Sequence, residues 1–401
     1  MLSIFVKAIL KIRHYFLGSL AFLLFRTKSV KKPKNIIVFR TCLLGDFIFS
    51  LPALELLKQN FPEAKIYFMS TYASSGVAKF ANYVNKKEQL PWFEFIKPNL
   101  IEDIISIQNL SFGCINETKT IVKRINPDLI VLLPHPGDPL LGIIKKLILF
   151  KLLGINKNVF GWRVKGDYSF LRKQQNELGF FGHKIFGPLR AVYELRKFYS
   201  ISEVEIKFPI NIKANEIDWA NRFITDHTKE SSLKIGFGVG SVQKHKQWPI
   251  QNFVKLAELL DQNYDISFFI YGTKNDKELA DYFENSSFKN GLVNLIGETD
   301  ISQLAAILQK MDVLITNDGG TAHLGAAVNC KVLSIISGIE YPNSIEPWGN
   351  FEYVVRHEVP CSPCYSMTFC PLGHNSCIKE ISVDQVYKKV NKIIYLSKIK
   401  L

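Results

Sequence analysis

The chain places an aspartate directly after its first predicted strand. Asn35–Arg40 is a short apolar segment, and a turn through Leu44 and Gly45 brings Asp46 to the start of a predicted helix. A carboxylate at the carboxyl end of a strand can act as a general base that takes a proton from a hydroxyl nucleophile. Aspartate is also a favoured N-cap residue, so position alone leaves a catalytic and a capping role open.

Two consecutive glycines open a predicted helix in the second half of the chain. Gly319 and Gly320 follow a strand, with Asp318 before them and Thr321 and His323 after them. Glycines at this point let backbone N–H groups approach an anion, which the helix dipole also attracts. The segment is no P-loop, because no Gly-Lys-Ser/Thr follows. A phosphate cradle is indicated; a plain turn capped by Asp318, with His323 in the core, is the alternative.

A glycine-containing basic loop and a further carboxylate follow two other strands of the second half. Ser241 and Lys246 lie in the loop where they can clamp a pyrophosphate, and the alternative is a solvated basic loop. Asp276 follows the next strand and can bind a ribose diol. An acidic residue there is equally suited to the start of a helix. The residues alone leave these alternatives open.

Apolar strands alternate with amphipathic helices through both halves of the chain. Strands are predicted at 35–40, 65–70 and 128–133, and then at 234–239, 266–271, 293–296, 312–316 and 331–336. A capping box from Ser382 to Gln385 starts a last helix. Continuous apolar strands between helices predict parallel sheets covered on both faces. The predicted fold is α/β, with two doubly wound, Rossmann-like domains facing a central ligand cleft and a C-terminal helix.

Composition and charge exclude several classes of protein. The 401 residues carry a net charge of +14 with 47% hydrophobic residues and seven cysteines, which excludes a disordered polyelectrolyte and a disulfide-stapled secreted scaffold. Residues 1–34 hold eight Lys and Arg and no acid, and 381–401 hold five lysines against Asp384. A nucleic-acid-binding protein would spread its basic face over the folded body, so this distribution argues against a nucleic-acid partner.

The N-terminal segment is apolar as well as basic. The apolar run Tyr15–Phe25 is too short to span a bilayer, and no cleavage site of a signal peptide follows it. The segment is typical of a helix that lies in the interface of an anionic membrane. A helix packed on the protein body with a lysine-rich outer face is the alternative.

Three motifs in this order and spacing resemble glycosyltransferase family 9, the lipopolysaccharide heptosyltransferases. They are Leu44-Gly45-Asp46 through Pro52, Lys246-Gln247-Trp248-Pro249, and Asp318 through Leu324, and the resemblance covers nearly the whole chain. It implies a GT-B fold and transfer of a sugar, usually heptose from ADP-heptose, onto the lipopolysaccharide inner core. Other implied features are a nucleotide-sugar donor, a lipopolysaccharide or lipid-linked glycan acceptor, and a cytoplasmic location at the inner membrane.

The resemblance also implies a role for individual residues. Asp46 matches the catalytic base of an inverting displacement at the anomeric carbon. The residues that match donor-binding positions are Ser241, Lys246, Asp276, Asp318, Gly319, Gly320, Thr321 and His323, with Ser241 where threonine is common. No metal is implied for catalysis, and no Asp-x-Asp motif follows a strand. The alternatives are the same fold using another nucleotide sugar, such as a UDP-hexose, and a non-catalytic membrane-peripheral interaction protein.

A cysteine-rich segment precedes the last helix. Cys361, Cys364, Cys370 and Cys377 lie within 17 residues, a density that suits a structural zinc site and equally a set of reduced packing thiols. The predicted organisation is a membrane-interface segment at 1–34, an acceptor domain at 35–210, a donor domain at 211–360, and the cysteine-rich segment with the final helix at 361–401.

Overall fold

The computed structural model describes residues 32–41, 43–71, 95–107, 111–133, 140–156, 158–161, 183–203, 205–286, 291–366 and 368–398. These residues form two compact units that divide between Pro209 and Ile210, with Phe95 and Ile96 belonging to the second. The predicted membrane-interface segment lies outside the described residues except for 32–34. Along the described part of the chain, no helix is both long enough and apolar enough to cross a membrane.

The first unit alternates strands and helices. Its elements are β1 (Asn35–Phe39), α1 (Leu44–Ile48), α2 (Leu51–Asn60), β2 (Lys65–Thr71), β3 (Asp103–Ile107), α3 (Phe112–Ile125), β4 (Leu129–Leu132), α4 (Leu140–Leu152), β5 (Val159–Phe160) and α5 (Phe186–Tyr193). A 3₁₀ turn at Glu194–Lys197 follows α5.

The five strands of the first unit form a parallel sheet in the order β3-β2-β1-β4-β5. Successive residues of a strand point to opposite faces, and the consecutive residues from Ile36 to Phe39 are all fully buried. Both faces of β1 are therefore covered, which explains its uninterrupted apolar sequence. Each such side chain contributes about 1.5–3 kcal/mol when it leaves water.

The second unit continues the alternation. Its elements are α6 (Ala214–His227), β6 (Leu233–Gly238), α7 (Ile250–Asp261), β7 (Ile266–Tyr271), α8 (Ala280–Glu284), β8 (Leu292–Asn294), α9 (Ile301–Leu308), β9 (Val313–Asn317), α10 (Gly320–Ala327), β10 (Val332–Ile335), β11 (Val354–Val355), α11 (Ser376–Lys379) and α12 (Val383–Lys398). Short 3₁₀ turns lie at Lys244–Lys246, Lys274–Leu279 and Phe351–Tyr353.

The six strands of the second unit are also parallel, in the order β8-β7-β6-β9-β10-β11. This is the Rossmann order, and the five strands of the first sheet follow it too. In each sheet the order of the strands reverses between two central neighbours. These neighbours are β1 and β4 in the first sheet and β6 and β9 in the second. The loops that leave the carboxyl ends of such strands diverge and create a crevice for ligands.

The predicted doubly wound architecture is confirmed within each unit. The eight predicted strands all form, and the capping box is present, because Ser382 N–H donates to Gln385 and Gln385 N–H donates to Ser382 Oγ. Three strands were not predicted: β3, β5 and β11. Between β7 and β8 the chain begins as the 3₁₀ turn Lys274–Leu279 and becomes α-helical only at Ala280.

Candidate functional site

Asp46 is the third residue of α1, one turn beyond the carboxyl end of β1. The N-cap of this helix is Leu43, and no side chain caps it. The capping interpretation of Asp46 is therefore wrong, because the N-cap lies three residues earlier, at Leu43. The carboxylate is partly exposed and lies in the first turn, where the helix dipole stabilises a negative charge.

Arg40 is a partner of Asp46 that the sequence did not reveal. Its guanidinium is fully buried, and Nη2 lies 3.5 Å from Asp46 Oδ1. No residue in the described ranges accepts a hydrogen bond from its side-chain nitrogens. An uncompensated buried charge is strongly unfavourable, so the carboxylate of Asp46 stabilises the buried guanidinium of Arg40, and the ion pair orients that carboxylate.

The loop between β6 and α7 is held at both ends by one buried amide. Asn317, the last residue of β9, donates from Nδ2 to the Val239 carbonyl at 2.8 Å and accepts from Trp248 N–H at 2.8 Å. The indole of Trp248 is buried and donates to the Ile381 carbonyl at 2.8 Å. The backbone between Val239 and Trp248 is thus fixed before any ligand arrives. We call residues 239–248 the donor loop.

The donor loop carries an ammonium group to the β6–β9 crevice. Lys246 Nζ lies 2.8 Å from Asp318 Oδ2, and the two side chains are only 11% and 7% exposed. Lys246 is therefore not part of a solvated basic loop, unlike Lys244 of the same 3₁₀ turn, which is exposed. Asp318 is not a helix cap either, because its carboxylate orients Lys246. The remaining N–H groups of the ammonium are suited to an anionic ligand.

The N-terminus of α10 adjoins this ion pair. Its N-cap is Gly319, which is extended and provides no side-chain cap for the amides of the first turn. Such amides and the helix dipole favour a negative ligand. His323 is buried in the second turn, and Thr321 is half-buried in the first. The structure thus brings the predicted residues 318–323 together with Lys246.

Asp276 follows β7 as the third residue of the 3₁₀ turn Lys274–Leu279. Its Oδ2 accepts hydrogen bonds from Thr273 N–H at 2.8 Å and Thr273 Oγ1 at 2.7 Å, so the helix-start interpretation is confirmed. Its carboxylate also packs directly against Gly240 of the donor loop. Binding of a ribose diol by Asp276 stays a prediction. Ser241 lies next to this contact, with its carbonyl bonded to Gln247 Nε2 at 3.0 Å.

Gly240→Ala is expected to destabilise the protein by about 1–3 kcal/mol, the usual cost of overpacking. A Cβ at Gly240 would lie 2.8 Å from Asp276 Cγ, and Thr273 holds that carboxylate in place. Urea denaturation measures the change in the free energy of unfolding. Gly319→Ala is the matched control, since a Cβ there meets no atom within 4 Å in the described chain. Equal stability of the two variants would contradict the close packing of Gly240 on Asp276.

The four predicted cysteine ligands lie in one segment, half-buried and unoxidised. Cys361 Sγ is 3.8 Å from His374 Nε2. Burial raises the pKa of Cys377; a backbone hydrogen bond from Gly338 opposes the rise, and the charges of the other three thiols add to it. Burial also acts to raise the pKa of Cys370, but hydrogen bonds from the four backbone amides of Asn375, Leu372, Gly373 and His374 outweigh it and lower the pKa.

The cysteine-rich segment is attached beside the donor loop. Ser362 Oγ donates to the Gly338 carbonyl at 3.0 Å, just after β10, and His245 Nε2 contacts the Ser366 carbonyl at 3.2 Å. Burial lowers the pKa of His245, although the contact with Ser366 opposes this and the charge of Lys246 reinforces it. In the ranges given above, no three His, Cys, Asp or Glu side chains are disposed to hold a metal ion. The zinc site therefore stays a prediction.

Comparison with known proteins agrees with this arrangement. The profile of glycosyltransferase family 9 (heptosyltransferase) matches residues 191–374, which include the donor loop, α10 and most of the cysteine-rich segment. A curated relative, lipooligosaccharide heptosyltransferase 2 of Campylobacter jejuni, is 24% identical over 357 residues, covering 88% of this chain and 95% of the relative.

Two solved structures share the fold over nearly their whole length. A glycosyltransferase of family 9 from Veillonella parvula has a TM-score of 0.62 at 17% identity, covering 92% of this chain and 99% of that one. The ADP-heptose lipopolysaccharide heptosyltransferase II of Escherichia coli has a TM-score of 0.63 at 16% identity, covering 91% and 99%. These likenesses establish two Rossmann-like units of the GT-B type. From the family match, the relatives and the shared fold, the chain is a glycosyltransferase, and it is similar to glycosyltransferase family 9 over residues 191–374.

Proposed function

We propose that the chain transfers a heptosyl residue from ADP-heptose to a lipopolysaccharide core acceptor, with inversion at the anomeric carbon. The names of the Campylobacter and Escherichia proteins support this donor and acceptor. The acceptor is anchored in a membrane, so the proposed site of action is the cytoplasmic face of the inner membrane. The basic, apolar residues 1–34 support an anionic membrane surface as a partner.

The observation that carries the proposal is the Lys246–Asp318 pair beside the uncapped N-terminus of α10. A nucleotide-diphosphate leaving group gains negative charge as the glycosidic C–O bond breaks. An oriented ammonium and free helix-terminal amides are the groups that stabilise such charge in the transition state. This supports a mechanism in which no metal is required for catalysis.

The proposed reaction is a single displacement. Asp46 takes the proton from an acceptor hydroxyl, and the hydroxyl oxygen forms a bond to the anomeric carbon of the donor sugar. The bond from that carbon to the diphosphate breaks, and the electron pair leaves with the diphosphate, which Lys246 and the α10 amides bind. Arg40, 3.5 Å from Asp46 Oδ1, orients the carboxylate that the first step needs.

ADP is expected to bind the protein at least tenfold more tightly than UDP, a difference of about 1.4 kcal/mol. Isothermal titration calorimetry with both nucleotides measures this, and preferential UDP binding would overturn the choice of ADP-heptose. Transfer assays with ADP-heptose and a panel of truncated lipopolysaccharide cores then test the reaction itself. Tight ADP binding without transfer to any core would contradict the proposed acceptor.

We further propose that the cysteine-rich segment holds a structural zinc ion. Four thiols and an imidazole are suitable ligands, and Cys361 Sγ lies 3.8 Å from His374 Nε2. The backbone amides that donate hydrogen bonds to Cys370 lower its pKa, which favours the thiolate form that binds a metal. Cys361, Cys364, Cys370 and Cys377 would bind the ion. Because Ser366 contacts His245, the bound ion would stabilise the backbone next to Lys246 without taking part in the reaction.

The protein purified without chelator is expected to contain zinc in stoichiometric amount and to melt at a lower temperature after the metal is removed. Cys370→Ser should lose the metal. Cys114→Ser should keep it, since Cys114 is a half-buried cysteine of the first unit. Plasma mass spectrometry identifies the metal and distinguishes zinc from iron, which four thiolates also suit. Metal-free protein with an unchanged melting temperature would show that the cysteines are packing thiols.

A further inference from the structure

Helix α4 of the first unit is apolar on its outward face as well as its inward one. Leu147 and Phe150 are fully buried against the sheet, whereas Leu141, Ile148 and Leu152 are 68%, 49% and 51% exposed. A surface helix normally presents polar side chains to water. An aliphatic outward face contributes nothing to the stability of the isolated unit. It therefore indicates a partner that covers it.

The exposed aliphatic residues form one continuous line. They are separated by seven and four residues, which is the spacing of side chains on one side of a helix, and they extend over about 16 Å. We call Leu141, Ile148 and Leu152 the α4 stripe. A line of this shape fits a helix lying parallel to a flat apolar layer, with its axis in the plane of that layer.

The charge of α4 identifies the partner further. Lys145 lies on the same face as the stripe and is exposed, Lys146 and Lys151 lie beside it, and the helix has no acidic residue. Long lysine side chains extend their ammonium groups from an apolar layer to the polar boundary. There they attract anionic lipid headgroups. A second copy of the chain is disfavoured, because a symmetric contact through α4 would bring lysines against lysines.

We propose that the outward face of α4 lies in the interface of an anionic bilayer, with the α4 stripe among the acyl chains and the three lysines at the headgroups. The inference rests on the proposed function for its purpose, which is access to a lipid-anchored acceptor. β1 and β4 are parallel neighbours that pair up to Phe39 and Leu132. The strand before α4 and the strand before Asp46 therefore end on the same side of the sheet. Docking through α4 would hold the carboxyl ends of these two strands near the membrane.

Binding to vesicles tests the proposal without donor or acceptor, so its outcome is separate from that of the transfer assays. The full-length chain is sedimented with vesicles of phosphatidylcholine and phosphatidylglycerol. The double variant Ile148→Ser/Leu152→Ser should partition about tenfold more weakly than the unmodified chain, because two half-exposed aliphatic side chains no longer enter the bilayer. Its transfer rate to a soluble truncated acceptor should be unchanged, and circular dichroism verifies its fold.

The matched control is Leu259→Ser/Tyr282→Ser, which removes two side chains of the second unit that are 37% and 46% exposed. This variant should partition like the unmodified chain. As an independent measurement, brominated lipids should quench the fluorescence of Ile148→Trp but not that of Leu259→Trp, relative to the unmodified chain. Equal partitioning of the two double variants, or an unquenched Ile148→Trp, overturns the proposal. The proposal is also overturned if the unmodified chain self-associates in lipid-free solution and Ile148→Ser/Leu152→Ser loses this self-association while its vesicle binding is unchanged. That result would assign the α4 stripe to a second copy of the chain.

Discussion

Replacing Asp46 by Asn is expected to lower the rate of sugar transfer by about a thousandfold, within the range of a lost general base. The amide has almost the shape of the carboxylate but cannot take the proton of the acceptor hydroxyl. The rate is measured at saturating donor and acceptor, with the sugar product quantified by mass spectrometry. Binding of ADP should be unchanged, since the groups proposed to bind it lie in the second unit. Transfer at the normal rate by Asp46→Asn would remove Asp46 from the mechanism.

A matched control separates the chemistry from the electrostatics of the fold. Asp46→Asn also leaves the buried guanidinium of Arg40 without its counter-charge, which lowers the stability of the first unit. Glu55→Gln makes the same kind of change to another largely buried carboxylate of that unit, one that pairs with Lys97 at 3.1 Å. It should cost stability without slowing transfer. If Glu55→Gln slows transfer as much as Asp46→Asn, the loss reports on folding and the assignment of Asp46 fails.

The sheets were predictable because burial on both faces leaves a simple pattern. β1 has four consecutive buried apolar residues after Asn35, and every residue of β7 is buried, with Ser267 its one residue without an apolar or aromatic side chain. The edge strands carry no such pattern. β3 is exposed at its first residue and only partly buried along its length, and β5 and β11 are two residues each. Such short or half-exposed strands form mainly because they pair with a neighbouring strand. Their own sequences therefore carry little signal of the strand conformation.

The candidate site was predictable in its residue types and less so in its contacts. Lys246 and Asp318 come together because the segments that follow β6 and β9 leave neighbouring strands. No local sequence pattern encodes that these two strands are neighbours. The start of α1 was misjudged because Gly45, a poor helix former, lies inside it. Asn317 and Arg40 were missed because single polar residues at the ends of apolar strands resemble ordinary turn residues.

Replacing Lys246 by Met is expected to reduce the transfer rate by about a hundredfold to a thousandfold and to weaken ADP binding by a smaller factor. The ammonium contacts a leaving group whose charge grows during the reaction, so its loss raises the energy of the transition state more than that of the bound donor. Steady-state kinetics separate the two effects as a larger change in kcat than in KM. The control is Lys244→Met, which removes an exposed lysine of the same turn and should change neither.

A variant of Asp318 makes a stronger test, because Asp318 is buried with Lys246 beside the proposed position of the diphosphate. In Lys246→Met the carboxylate of Asp318 loses its cation and repels the diphosphate, so part of the measured loss is repulsion. The double variant Lys246→Met/Asp318→Asn should therefore bind ADP more tightly than Lys246→Met while remaining slow in transfer. Affinity then recovers without catalysis, because repulsion is relieved but no cation stabilises the leaving group. The single variant Asp318→Asn completes the comparison. A loss in the double variant equal to the sum of the losses in Lys246→Met and Asp318→Asn would mean that the two residues act independently, contrary to the 2.8 Å pair that the fold creates.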